Sequence, residues 1–295
     1  MHRQAGPTNG SGRIGIDCDH EAAGVTSAAL LPGRSGHTCW AYDDPALFEA
    51  RAREFLLAGL AAGDRVRYVT PESVPVVVER WRDVPRLRDA LRTGVAEVCS
   101  VDDMYGSDGL DVEAQLTSYT AMLEAALADG HTGWRVAADG TPLVIDPVRR
   151  EGFARYEHLV DRYLRTRPMS AVCGYDRTRL DEETIEELAC LHPTSDPGTS
   201  LFHLYPGDGG LVLDGELDAS NHGVFATALR RADHDPGDLV IHAEGLRFID
   251  YRSLLHLHRH AASHHRQVVL RTSLAPASRL VALLGLSRVR VEVTG

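Results

Sequence analysis

Lysine is absent from the 295 residues, so the 31 side chains counted as lysine plus arginine are all arginine. A Walker-type phosphate loop needs a lysine on the nucleotide, a protein kinase needs one on a strand, and a Schiff-base enzyme needs an amine. All three are excluded in their standard forms, and no GxxxxGK[ST] occurs. A lysine-free, Arg- and Ala-rich composition is the kind written by a GC-rich bacterial genome, such as an actinobacterial one. Long apolar runs are missing as well. None approaches the roughly 18 residues that a membrane span requires, and the opening Met1 to Gly12 lacks the apolar middle of a secretory signal. Residues 1–33 are therefore expected to be a disordered lead into a cytoplasmic protein. The five cysteines (Cys18, Cys39, Cys99, Cys173 and Cys190) never form a CxxC pair, which suits reduced thiols better than a disulfide framework. The formal charge of −11 opposes a nucleic-acid partner, which would require a basic face. With no GxSxG elbow either, no catalytic residue and no cofactor are assigned, and the chain is expected not to be an enzyme.

What is present is an alternation of strands and helices. His37–Tyr42 reads as a short buried strand. Asp44 and Pro45 give an N-cap and first-turn proline to a helix carrying Phe48, Ala52, Phe55, Leu56 and Leu60. Strand 65–70, helix 73–92, strand 95–101, helix 112–128, strand 134–138, helix 147–164, strand 169–175 and helix 181–191 follow. Five strands separated by helices predict a mostly parallel sheet covered on both faces. The segment 193–199, with two prolines and a glycine, reads as a linker. Beyond it, strands 201–205 and 210–213, helix 220–232, strand 238–242, helix 252–265, strand 267–271, helix 276–284 and strand 289–293 predict a compact ββαβαβαβ sandwich.

Two stretches resemble known families. His37-Thr-Cys39 with Tyr42, the helix running into Gly59–Gly63, Arg155-Tyr-Glu157, Val172-Cys-Gly-Tyr-Asp176 and Leu191-His-Pro193 resemble the MEDS sensory domain. That resemblance implies a RecA/KaiC-like core without a phosphate loop over residues 34–192. Leu213-Asp-Gly-Glu-Leu-Asp-Ala219, Gly245–Asp250 and Leu284-Gly-Leu286 resemble the STAS domain of anti-sigma-factor antagonists, over residues 200–295. The expected fold class is therefore α/β, a RecA/KaiC-like mostly parallel sheet followed by a small STAS sandwich. The STAS resemblance implies docking on a GHKL-type anti-sigma-factor kinase through Asp214, Glu216, Asp218, Asp250, Tyr251, Arg252, Ser253 and His256. It also implies a regulatory phosphoserine immediately after Asp250. Tyr251 stands there instead, so that switch is expected to be missing, with Ser253 the remaining hydroxyl.

Several clusters stay open between readings. His37 and Cys39, two apart on one strand, share a face. Cys173 and His192 would join them if the first and last strands of the unit are neighbours. The four could hold a metal, line a small-ligand pocket, or pack as ordinary core. Glu157 either belongs to a salt-bridged helix face or reaches the strand-end crevice, where open α/β sheets bind ligands. Tyr175 and Asp176 are expected at that crevice. His256, His260 and His264 share a helical face, which suits a metal stripe, a pH-responsive face or a partner-facing side. Asp43-Asp44 and Asp102-Asp103 are caps or cation ligands. The functional expectation is a non-catalytic regulator that senses a small ligand or redox state and binds a protein, with no membrane contact. The alternative is a cryptic nucleotide-binding or metal- or redox-dependent enzyme in the first unit.

Overall fold

The computed structural model describes residues 36–106, 110–232 and 236–294; the expected lead 1–33 lies outside them. In the first unit, β1 (Gly36–Tyr42), α1 (Pro45–Ala62), β2 (Arg65–Thr70), α2 (Val74–Trp81), α3 (Pro85–Thr93) and β3 (Ala96–Ser100) come first. Then follow α4 (Val101–Tyr105), α5 (Val112–Ala128), β4 (Trp134–Asp139), α6 (Thr141–Val144), α7 (Pro147–Arg165), β5 (Met169–Asp176), α8 (Glu182–Ala189) and β6 (Thr194–Ser195). The sheet runs β3-β2-β4-β5-β1-β6, and every pairing in it is parallel. Every residue of β4 and β5 is buried, as central parallel strands with two covered faces demand. One face packs Phe48, Phe55 and Leu56 of α1 with Val77, Trp81 and Leu87 of α2 and α3. The other packs Tyr119 and Leu123 of α5 with Phe153, Tyr156 and Val160 of α7.

Local sequence sets the boundaries. Asp44 accepts from the Ala46 amide and Pro45 opens α1, while Gly63 closes it at φ 91°, a left-handed conformation that glycine adopts without strain. The helix expected over 73–92 is two helices. Pro85 pushes Val84 to an extended φ −97°, ψ 105° and starts α3 afresh. The segment 193–199 is more than a tether. Thr194–Ser195 pair with β1 as β6, and Asp196 accepts from the Ala41 amide at 2.9 Å.

The second unit comprises β7 (Phe202–Gly207), β8 (Gly210–Leu217), α9 (His222–Ala232), β9 (Leu239–Ala243), β10 (Leu246–Ile249), α10 (Tyr251–Ser263), β11 (Val268–Thr272), α11 (Ala275–Leu283) and β12 (Val289–Val293). β7 pairs antiparallel along β8. β9 and β10 pair parallel with successive parts of β8, and β11 and β12 extend the sheet beyond β9. Leu213–Ala219, one of the stretches that carry the STAS resemblance, is largely strand. Burial alternates along β8, so Leu211, Leu213 and Leu217 face the core while Asp214 and Glu216 face away. Gly215 is required there, because it sits at φ +95° and a Cβ would lie 2.2 Å from the Leu201 carbonyl oxygen. β10 is a strand beyond the expected ββαβαβαβ order, and a register irregularity between Leu246 and Phe248 marks its pairing with β8.

The two units share a core. Ala154 of α7 and Cys190 and Leu191 after α8 are buried in one cluster with Phe202, Leu204 and Phe225. The Leu204 amide donates to the Cys190 carbonyl at 2.7 Å.

Candidate functional site

β1 and β5 are neighbours, with Cys39 directly opposite Cys173, so the condition for convergence of the His and Cys pairs is met. On the α7 face of the sheet, His37, Cys173, Glu157 and His192 each bring one ligand-type atom into a group spanning no more than 4.8 Å, all buried. Cys39 is not the fourth member. Glu157 takes that place, because α7 lies across β1 and β5 and aims the carboxylate between the two histidines. Of the two expectations for Glu157, the salt bridge is present but buried, made to His37 at 1% exposure, and the crevice lining does not include Glu157. Its Oε2 lies 3.0 Å from His37 Nε2 and 3.7 Å from His192 Nε2, while Tyr175 donates to Oε1 at 3.0 Å. Tyr175 therefore points into this cluster instead of the crevice where it was expected. Cys173 Sγ is 3.3 Å from His37 Nε2 and 4.0 Å from Glu157 Oε2.

The electrostatics follow from burial and opposed charge. Burial works against the His37 cation, but Glu157 and then Asp161 overcome it and raise His37 above its ordinary value. Burial also works against the Glu157 carboxylate, yet His37 holds it below the usual range. His192 is driven down to about 3, by burial and then by the facing His37. Asp161 is lifted to about 6 by burial, with His37 opposing. Burial and then Glu157 keep Cys173 a thiol, and burial and then Asp196 do the same for Cys39. These thiols lack the depressed pKa of reactive cysteines. Sequence reasoning missed Asp161, whose signal was available: it lies four residues after Glu157, on the same face of α7.

A second feature lies at the carboxyl ends of the strands. A cavity of about 540 Å³ is lined by Tyr42, Tyr68, Thr70, Asp139, Asp176 and Glu49 among others. Apart from Glu49 on α1, these are end or near-end positions of β1, β2, β4 and β5, where such sheets present ligand sites. Asp176 is thus where it was expected, and Tyr42, one of the residues that carry the MEDS resemblance, lines the same cavity. Asp139, which the same strand-end rule would have found, accepts from Tyr42 Oη at 2.7 Å and from the Thr141 amide at 3.0 Å. Burial raises its pKa above the ordinary carboxylate value. Asp44 caps α1 beside the cavity, so the helix N-terminus that could hold a phosphate is already met by the protein's own carboxylate. Arg80, also in the lining, is engaged by Glu49 and Glu72.

The rim meets the segment that leads into the second unit. Arg177, next to Asp176, donates from its backbone to the Tyr42 carbonyl at 2.9 Å. Its side chain donates to Thr199 Oγ1 at 2.9 Å and lies 3.5 Å from Asp196.

In the second unit, the residues expected to meet a partner divide into two groups. Asp250 caps α10 by accepting from the Ser253 amide at 2.8 Å and pairs with His222 at 2.7 Å. The His222 and His256 rings lie 6.0 Å apart, and Asp218 turns back on Ser220 at 2.6 Å. Tyr251 is 47% exposed, with Arg252 stacked over its ring. Ser253 is fully buried, so its hydroxyl is closed to a kinase while α10 is intact. Asp214 and Glu216 instead lie on the outward face of β8, bonded to Tyr205 at 2.8 Å and Arg247 at 3.1 Å. The histidine stripe does not converge as a metal set. His260 and His264 stack at 4.4 Å, and among the described residues His37, Glu157, Cys173 and His192 are the single group with metal-ligand geometry. Asp44 and Asp103 act as caps, Asp103 in a capping box with Ser100.

Residues 36–193 match the family model described as MEDS, the methanogen/methylotroph DcmR sensory domain. No curated protein matches the chain.

Proposed function

The chain belongs to the MEDS family, and from that premise we propose that it is a non-catalytic cytoplasmic signalling protein whose first unit senses a small polar molecule and whose second unit passes the signal to a protein. The carrying observation is Arg177. It adjoins the crevice residue Asp176 and grips Asp196 and Thr199, in the segment leading into β7. A ligand that displaced Tyr42 from Asp139, or engaged Asp176, would bias the position of that segment. The crevice lining carries five acidic side chains (Asp44, Glu49, Glu72, Asp139 and Asp176) against three arginines (Arg53, Arg80 and Arg179), a net negative balance that favours a neutral or cationic molecule with hydrogen-bond donors over a polyphosphate. The cryptic nucleotide-enzyme alternative is correspondingly disfavoured.

For the second unit we keep the STAS-like reading and the GHKL-type anti-sigma-factor kinase as its partner. The docking surface would be the exposed Phe248 and Tyr251 with the Asp218–His222–Asp250 cluster beside them. Tyr251 in place of a small hydroxyl, and the buried Ser253, argue for control by the first unit instead of by phosphoserine.

Native mass spectrometry of the gently purified full-length chain tests the sensor half. The expected result is an adduct of up to a few hundred daltons that is lost on denaturation and missing from Asp139→Asn. A bare mass under both conditions would overturn a resident ligand in the crevice. For the partner half, calorimetric titration against the GHKL-type kinases of the same genome should find one that binds. Tyr251→Ala should weaken that binding at least about tenfold, the scale expected for loss of an interface aromatic. Binding unchanged by Tyr251→Ala and Phe248→Ala would remove this face as the docking surface.

A further inference from the structure

His192 presents a lone pair to an acceptor. Its Nδ1 faces the Leu188 carbonyl at 2.9 Å, which requires the proton to be on that nitrogen. Nε2 is then unprotonated, fully buried and without a hydrogen-bond partner, 3.7 Å from Glu157 Oε2. Two electron-rich atoms facing each other in a dry interior repel, unless something positive lies between them. We propose that His37 Nε2, Glu157 Oε2, Cys173 Sγ and His192 Nε2 form a closed binding site for one divalent cation of zinc type.

The distances support that geometry. Zinc bonds of about 2.0 Å to nitrogen or oxygen and about 2.3 Å to sulfur, at tetrahedral angles, place donor atoms roughly 3.3–3.5 Å apart. Four of the six separations are 3.0 Å for His37–Glu157, 3.3 Å for His37–Cys173, 3.7 Å for His192–Glu157 and 4.0 Å for Cys173–Glu157. All six lie within 4.8 Å, so drawing the longer ones in by up to about an ångström would regularise the set. Two imidazoles, a thiolate and a carboxylate make a mixed donor set suited to a borderline cation, where magnesium or calcium would call for oxygen alone. Four protein donors leave no open position, so the role is structural or sensory instead of hydrolytic.

Outer partners fit as well. His37 Nδ1 is turned toward Asp161 at 3.7 Å, His192 Nδ1 is fixed by Leu188, and Glu157 Oε1 accepts from Tyr175. This is the arrangement by which surrounding groups orient metal-bound histidines and carboxylates. Binding would replace the proton between His37 and Glu157 and release the Cys173 thiol proton to solvent. One cation would tie β1, α7, β5 and the end of α8 together, two residues from Cys190, which holds β7. The site is separate from the crevice, so each reading can fail without the other.

The test is cobalt substitution of the full-length chain, with metal content measured by elemental mass spectrometry. The expected result is one tightly held cation per chain. The cobalt form should show visible bands of tetrahedral geometry and a near-ultraviolet sulfur-to-cobalt charge-transfer band. Cys173→Ser should lose the sulfur band and His192→Ala should lose stoichiometric retention. A chain with Cys18, Cys39, Cys99 and Cys190 all changed to serine should keep both signals, which decides the matter even if Cys173→Ser folds poorly. A folded wild-type chain that retains no cobalt or zinc against a mild chelator would overturn the proposal. So would a sulfur band that survives in Cys173→Ser.

Discussion

Gly174 has no side chain, and on β5 that lets the Phe48 ring of α1 lie against the sheet. A Cβ there would fall 2.4 Å from two carbons of the ring. Gly174→Ala should therefore overpack a fully buried layer and destabilise by about 1–3 kcal/mol, read as a lower urea midpoint with an unchanged slope. At the same scale, His260 is pulled down to about 4, by burial and then by the facing His264. The groups facing it are His264, with ring centroids 4.4 Å apart, and Arg266, whose guanidinium comes within 3.4 Å. Because the folded pKa lies below the ordinary 6.5, the unfolded chain binds this proton more tightly. Its contribution to stability is complete above pH 6.5 and is lost as pH falls toward about 4. His260→Gln should flatten the decline of the urea midpoint over that window, and a decline of unchanged steepness would assign the effect elsewhere. Individual site residues were partly legible in the sequence. The two-residue period of a strand placed His37 and Cys39 on one face, and the strand-end rule placed Asp176 at the crevice but misplaced Tyr175, which turns to Glu157. The substitution of Glu157 for Cys39 was not legible, because it depends on how α7 crosses β1 and β5, which no local spacing encodes.

Element ends show where sequence signals are strong. Asp44, Pro45 and Gly63 mark α1 on both sides, and α5 spans the residues its periodicity predicts. Pro85 was visible too, yet the apolar period running through 73–92 obscured the break it imposes. The short elements α4, α6 and β6 carry too few residues to show any period. β10 was obscured differently, since it pairs with β8 through a register irregularity and exposes Arg247 and Phe248. The start of α10 offers a direct test of cap energetics. Asp250 satisfies the Ser253 amide and also pairs with His222. Burial opposes its charge, but these hydrogen bonds hold its pKa below the usual carboxylate value. Asp250→Ala should cost about 1–2 kcal/mol in thermal unfolding. Asp250→Asn, which can still cap, should recover most of that loss. For the wild type, the lowered folded pKa means that this stabilisation is present above the ordinary 3.8 and disappears below it.

At the scale of the whole molecule, the expected picture of two domains on a linker gives way to a shared interior. Ala154, Cys190 and Leu191 of the first unit are buried among the core residues of the second. Arg231 on α9 is 4% exposed and donates to Glu151 of α7 at 2.9 Å and to Glu187 of α8 at 3.0 Å. That arrangement was not readable from composition. The Pro- and Gly-bearing segment 193–199 looks the same whether the flanking units are free or packed. Local pattern likewise does not say that the polar Arg231 finds two carboxylates on another unit. If the shared core couples the units, calorimetry of the full chain should give one peak, with calorimetric and van't Hoff enthalpies equal. Arg231→Ala leaves Glu187 without this cation and Glu151 with Arg155 alone, and should cost about 1–3 kcal/mol, below the full range for a buried pair because Glu151 is partly solvated. The loss falls on the junction and on neither separate core, so the single peak should broaden or divide as it moves down. Arg231→Lys should restore charge but not the two-pronged contact, and should fall between the two. Two resolved peaks in the wild type would instead mean that the units unfold independently. The crevice, Arg177 and the segment through Thr199 could then pass a signal only by local displacement, without the cooperative response that a common core provides.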